Sequence, residues 1–289
     1  MPVGDSPSPV VHRRRLRAEL RRTRQEAGLT QEQVAAAMDW SLSKVIRIEA
    51  GHVGISTNDL KALLRHYQIT DPDRTEELAA LARAARERAW WSAYREVASD
   101  GLRQLVGYET ASFIVRNFEP LVVPGLLQTE EYAHALLTGL DERIPAERVD
   151  GLVEMRMRRQ ELLDRADPPL LFCIVDEAVV RRVIGGPAVM RRQLQRMAEQ
   201  AAKPNVTVEV VPFGAGAHPG LQGPFVILEF PDPADDDVLY LENPLGEVIS
   251  RDIPDEALAY REKFERLREL SLGPAGSVSH LDKLAHELT

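Results

Sequence analysis

Cysteine is almost missing from this chain: Cys173 stands alone among 289 residues. A lone thiol allows no intramolecular disulfide framework and no cysteine-based zinc site. Long apolar runs are missing too. None approaches the roughly 18 residues needed to span a bilayer. The polar, proline-rich start, Met1–Pro9, lacks the apolar core of a signal peptide. No H-E-x-x-H and no G-x-S-x-G elbow occurs among the residues. The acidic run Asp235-Asp236-Asp237 lacks the glycine and distal glutamate of a calcium loop and reads as a solvated turn. No segment repeats. These absences set aside membrane-spanning, disulfide-scaffold and collagen-like classes and favour a reducing, cytoplasmic compartment. What is present is ordinary for a globular protein, 44% hydrophobic and 28% charged residues, in a length that suits about two domains.

Charge is unevenly spread. Residues 1–70 hold 11 Lys+Arg and 7 Asp+Glu, a net +4, which leaves 25 basic and 38 acidic residues beyond them, a net −13. A small basic module ahead of a larger acidic one is compatible with a nucleic-acid-binding head, or with a solvated basic helix that has no partner.

The local patterns divide the chain further. Residues 1–9 read as a disordered tail. From Val10 to Ala27 a helical stripe carries Leu16 and Leu20, with Arg13, Arg14, Arg17, Arg21 and Arg24 largely off it, and Gly28 ends it. Thr30 with Gln33 forms a capping box for a second helix, in which Val34, Ala35 and Met38 face inward. Ser41 caps a third helix, about 41–50, with Val45 and Ile48 on its core side and Gly51 at its end. Ser56 with Asp59 opens a fourth. Asp71-Pro72 opens a fifth that the Ala/Arg-rich pattern carries to about Ala98. This gives a five-helix N-terminal part, made of a head over 10–70 and a fifth, connecting helix over 71–98, and then a domain over 99–289. In the last, short runs at 170–175, 206–211, 225–230, 238–242 and 247–250 read as strands. Helical patterns lie near 129–138, 145–165, 177–184, 187–202 and 255–271, and Asn243-Pro244-Leu245-Gly246 reads as a hairpin turn. The expected architecture is an α head followed by a mixed α/β (α+β) domain with about five short strands flanked by helices.

The second and third helices, joined by a short turn, have the form of a helix-turn-helix. Leu29-Thr30-Gln31-Glu32-Gln33-Val34-Ala35, then Ser41-Leu42-Ser43-Lys44-Val45-Ile46-Arg47-Ile48-Glu49-Ala50-Gly51, resembles the Xre/Cro/phage-repressor family in residues and in spacing. A helix that enters the major groove needs small or polar residues at its start, and Ser41, Leu42, Ser43 and Lys44 stand there. Lys44 and Arg47 have the reach for base edges or phosphates. Gln31, at the start of the preceding helix, is placed to bond a phosphate, and Arg13, Arg14 and Arg17 to contact the flanking backbone. Glu49 in the family makes a structural contact. The chain departs from the pattern at Asp39, where glycine is usual, at Trp40, which is expected to pack under the turn, and at Ile46. Ile46 either meets a thymine methyl or packs against the fifth helix.

Trp90-Trp91-Ser92-Ala93-Tyr94, Val123-Pro124-Gly125-Leu126-Leu127-Gln128-Thr129 and Gly216-Ala217-His218-Pro219-Gly220 resemble one set of actinobacterial Xre regulators, and the likeness covers about Arg13 to Ala285. It implies a dimeric regulator, a repressor or antitoxin-like protein, that binds a palindromic double-stranded DNA operator. It also implies a C-terminal domain of unassigned chemistry and a small partner protein encoded nearby. No cofactor, metal or catalysed reaction is expected. Alternatives are a C-terminal domain that senses a small molecule, or one that sequesters the small partner. Candidate ligand or partner residues are His218 and Pro219 in a Gly/Pro-rich loop, Leu126 and Gln128 in the irregular apolar segment from Pro120, and Trp91, because neighbouring tryptophans cannot both face one side of a helix. The competing readings are a tight connection for the loop, a buried connector for the segment, a helix cap for Asp176 and an inert buried thiol for Cys173.

Overall fold

The computed structural model describes residues 8–51, 53–232, 235–243, 246–250 and 254–288. The chain divides into two compact units, Met1–Ser92 and Ala93–Thr289.

In the first unit each helix begins at the residue whose chemistry calls for it. The Ser8 hydroxyl accepts from the Val10 amide to open α1 (Pro9–Glu26). Thr30 and Gln33 cap each other's amides at α2 (Gln31–Met38). Ser41 opens α3 (Leu42–Glu49), Ser56 opens α4 (Thr57–His66) and Asp71 opens α5 (Pro72–Ala84), each through a side-chain oxygen on a first-turn amide. The core is built from Leu16, Leu20, Val34, Val45, Ile48, Leu60, Leu64 and Leu78.

Two expectations change here. Ser8 and Pro9 already belong to the cap and first turn of α1, while the rest of the expected tail lies outside the described residues. The fifth helix ends at Ala84, not near Ala98, and it is not a free connector. Its Leu78, Ala79 and Ala82 are buried in the head's core, it packs on α1, and Arg74 pairs with Glu19. Beyond Ala85 the run Arg86-Glu87-Arg88 offers nothing apolar to hold a helix against that core. A 3-10 turn follows at Trp90–Tyr94.

The second unit runs α6 (Asp100–Ala111), β1 (Ile114–Glu119), α7 (Glu130–Leu140), α8 (Ala146–Gln160), β2 (Leu170–Asp176), α9 (Glu177–Arg181), α10 (Pro187–Ala201), β3 (Val206–Val211), β4 (Phe225–Glu229), β5 (Val238–Asn243), β6 (Gly246–Ser250), α11 (Pro254–Leu270) and α12 (Gly273–Glu287). Among the described residues its six strands form one mixed sheet in the order β3-β2-β1-β4-β5-β6. β1, β2 and β3 are parallel, and β4, β5 and β6 follow antiparallel. The mixed sheet flanked by helices is the expected class. Its central strand β1 is the addition: Arg116 and Asn117 interrupt the apolar alternation. Arg116 is accommodated because its Nε donates to Glu229 Oε1 at 2.6 Å on the neighbouring strand. α11 lays Phe264 and Leu267 on a cluster with Phe118, Ile174, Phe225, Ile227 and Leu239. α12 packs on α10 and β3, and its Ser277 hydroxyl accepts from the Val210 amide at 2.9 Å. Pro244 and Leu245 of the expected hairpin turn lie outside the described residues, although β5 and β6 pair as that turn requires, Asn243 opposite Gly246.

Candidate nucleic-acid interface

The geometry of the second and third helices starts at Asp39. It ends α2 in the left-handed region, φ 54° and ψ 43°, which aspartate tolerates better than most residues. That residue turns the chain so that Val45 and Ile48 enter the core while Leu42, Ser43, Ile46 and Arg47 face outward. Leu42 is 37% and Ile46 44% exposed. Nearly half of the Ile46 side chain is thus open to a partner. The outward face combines two apolar side chains one turn apart with a hydroxyl and a guanidinium one turn apart. Arg47 is exposed, its Nε donating to the Ser43 carbonyl at 3.3 Å.

A buried ion pair holds this face at its angle. Arg24 of α1 donates from Nε and Nη2 to both Glu49 oxygens, at 2.6 and 3.1 Å, and from Nη1 to the Leu29 carbonyl at 2.7 Å. Gln31 Nε2 of α2 donates to Glu49 Oε2 at 2.7 Å. One carboxylate at the end of α3 thus ties three helices together, the structural role expected of Glu49. Charge-assisted, two-point bonds of this kind fix orientation as well as adding energy.

The other candidate residues divide. Ser41 is the cap of α3, and its hydroxyl accepts from the Lys44 amide at 3.2 Å. Lys44 lies 3.8 Å over the Trp40 ring and 3.3 Å from Asp59 Oδ2. Those contacts restrain its ammonium, and Trp40 packs against the core as expected. The amide nitrogen of Gln31 is committed to Glu49 rather than directed at a phosphate. Arg14 and Arg17 are buried rather than ranged along a flank. Arg17 Nη1 donates to the Ala50 carbonyl at 3.3 Å, and Arg13 Nη2 to the Ala85 carbonyl at 3.1 Å.

The remaining candidates are buried or half-buried. Leu126 and Gln128 are buried, as are Val123 and Leu127. Gln128 Nε2 donates to the Val123 carbonyl at 2.6 Å, and its Oε1 accepts from Arg156 at 2.7 Å. Gln160 donates to the Gly125 and Gln128 carbonyls, and Gln193 donates to the Leu127 carbonyl and accepts from the Thr129 amide. From Val123 to Gln128 the segment is a buried connector, while Leu121 near its start is 61% exposed; irregular backbone inside a protein must find side-chain partners for its polar groups. Burial, with Arg159 next to it, also draws the Arg156 guanidinium down to about 10. The His218 side chain is 3% exposed with Nε2 3.1 Å from Asp176 Oδ2, and the next turn presses Gly220 onto the Phe118 ring. Pro219 opens that 3-10 turn. Asp176 also caps α9 as expected, its Oδ1 accepting from the Ala178 amide at 2.8 Å. Trp91 is buried, edge-on to Trp90. The Cys173 thiol is buried, which pushes its pKa up and leaves it unreactive. Among the described residues no cluster of three metal-ligating side chains occurs, and no helix is long and apolar enough to cross a membrane.

Residues 15–78 match a family described as a helix-turn-helix domain. Residues 102–283 match a family described as a domain of unknown function (DUF5753). No curated protein matches the chain, and no solved structure does. The second match spans more than half of the residues, and the chain belongs to the DUF5753 family, with a helix-turn-helix domain ahead of that domain. The helix-turn-helix match points to DNA binding by residues 15–78.

Proposed function

We propose that this protein is a sequence-specific transcriptional regulator of the Xre type that lays α3 in the major groove of a palindromic operator. The observation that carries the reading is the outward face of α3, with Leu42, Ser43, Ile46 and Arg47 exposed on a helix anchored by Val45, Ile48 and the Arg24–Glu49 pair. Arg47 suits guanine or phosphate, and Leu42 and Ile46 suit thymine methyl groups. Lys44, restrained by Trp40 and Asp59, is the lesser contributor. Two heads on a two-fold dimer give the affinity that one head lacks, with half-sites about one helical turn or a multiple apart. The second unit supplies the dimer contact, and the protein acts as a repressor or antitoxin-like regulator in the cytoplasm without catalysing a reaction.

Binding of the purified chain to the DNA upstream of its own gene, measured beside random DNA at two salt concentrations, tests this. The expected result is a preference for the upstream DNA, with affinity falling steeply as salt rises. Equal affinity for both DNAs would contradict the reading. Sedimentation at micromolar concentration tests the dimer, and a monomer there would remove that part.

A further inference from the structure

We propose that the second unit binds a small carboxylate at the carboxyl end of β1, where the Arg156 guanidinium, the Glu119 carboxyl and the Tyr132 hydroxyl gather without pairing. The proposal goes beyond the DNA reading and does not depend on it.

The place is set by the sheet. β1 is the strand at which the sheet changes sense, parallel to β2 on one side and antiparallel to β4 on the other. In open α/β sheets ligands bind in the crevice outside the carboxyl ends of the strands, at a switch of topology. Side chains alternate along β1. Phe118 joins the apolar cluster under α11, so Asn117 and Glu119 project to the opposite face. That face is polar. Arg156 and Arg159 of α8, Tyr132 of α7, Cys173 of β2 and Glu242 of β5 all lie within electrostatic reach of Glu119. The pairing of Phe118 with Phe225, and of Phe225 with Leu241, carried one residue further, sets Pro224 between Glu119 and Glu242. With strands about 4.8 Å apart, the two glutamates are then rooted about 10 Å from each other across a proline ring. Glu119 and Arg156 are half-buried, so the group reaches solvent at its mouth.

The hydrogen-bond accounting selects the ligand. Arg159 is occupied by Glu109 through two 2.6 Å bonds. Arg156, one turn earlier on the same helix, donates to Gln128 Oε1 at 2.7 Å, a neutral acceptor, and no carboxylate pairs with it among the described residues. Tyr132 is fully buried, and its oxygen accepts from the Val123 amide at 3.2 Å. Among the described residues its own O–H donates to no acceptor, and burial holds the phenol protonated. Burial also keeps Glu119 a carboxylic acid up to about 8, with the Asn117 amide pulling the other way. A guanidinium, a phenol and a carboxylic acid therefore converge as donors, while the oxygens of Gln128 and Tyr132 are already spent. Buried donors without acceptors are costly. A ligand carboxylate supplies the acceptors and the charge that Arg156 lacks. An amine would meet only donors, and an amide would leave Arg156 uncompensated.

Calorimetric titration of the full chain at pH 7 with acetate and with benzoate tests the site, each beside its amide, and with benzylamine as the cation. The expected result is saturable binding of one carboxylate per chain by the tighter of the two, with its amide and the amine weaker by about tenfold or more. From pH 7 to 9 the affinity should fall about tenfold as Glu119 gives up its proton. Arg156, drawn down to about 10 by burial and by Arg159, keeps most of its charge across that range. Glu119→Gln retains a donor at every pH, so it should hold the affinity seen at pH 7 and remove the fall. Arg156→Gln should weaken binding by about tenfold or more. If that variant does not fold, the pH profile of Glu119→Gln decides the matter. No saturable binding of either carboxylate would overturn the proposal. So would benzylamine binding as tightly, affinity unchanged in folded Arg156→Gln, or a fall with pH that persists in Glu119→Gln.

Discussion

The outward face of α3 and the segment from Pro120 to Thr129 are both short mixtures of apolar and polar residues, and they end in opposite places. On α3, Leu42, Ser43, Ile46 and Arg47 stay outside. In the segment, Val123, Leu126, Leu127 and Gln128 are buried. The cause is the backbone rather than the residue types. A helix satisfies its own amides and carbonyls, so its side chains are left to face a partner. An irregular segment satisfies few of its own, and inside a protein it draws in Gln128, Gln160, Gln193 and Tyr132 as bonding partners. Side chains that look like recognition groups in the sequence are spent there on the chain itself.

Substitutions can break this contrast. The largest effect is expected from Glu109→Ala in the network beneath the segment. Arg159 donates two 2.6 Å bonds to Glu109, and the two side chains are 11% and 1% exposed. Removing the carboxylate strands a buried cation and should cost about 3–5 kcal/mol by urea unfolding. DNA affinity of the molecules that remain folded should be unchanged. Next comes Gly220→Ala. A Cβ there would lie 2.2 Å from Phe118 Cζ, so the loop or the ring must move, at a cost of about 1–3 kcal/mol in thermal unfolding.

A smaller, pH-dependent effect sharpens the contrast at the mouth of the segment. Burial pushes the Glu119 carboxyl from the ordinary 4.5 up to about 8. Between those values the folded chain holds a proton that the unfolded chain has lost, so Glu119 makes stability fall as pH rises through that window and level off above it. Glu119→Gln should flatten that part of the profile in denaturation series from pH 5 to 9. An unchanged slope would mean that Glu119 is ionised in the folded protein.

Most of the head was legible in the sequence because its helices are announced by local chemistry: Ser41, Ser56, Thr30 with Gln33, and Asp71-Pro72 all cap where expected. The second unit was legible where strands are uniformly apolar, as in Leu170–Val175, and not where tertiary partners make a polar strand possible, as Glu229 does for Arg116 in β1. α6 and α12 were missed for a related reason. Gly101 and Gly107, and Gly273-Pro274 with Gly276, weaken the local helical signal, yet Tyr108, Leu281 and Leu284 find buried sites that outweigh weak helix propensity. The site was legible as a helix but not side chain by side chain. Nothing local in the sequence says that Gln31 turns to Glu49, Lys44 to Trp40 or Arg17 to Ala50, because those partners come from other elements.

The most direct test of the central claim is the ratio of affinities for upstream and random DNA, measured for the natural chain and for Arg47→Ala. Arg47 is exposed and lies outside the core, so its removal should change stability by no more than about 0.5 kcal/mol. The account predicts that the ratio falls by about tenfold or more while the thermal midpoint holds, the loss of one base-reading contact of about 1–3 kcal/mol. A ratio that is the same in both proteins would mean that the outward face of α3 does not read DNA sequence through Arg47.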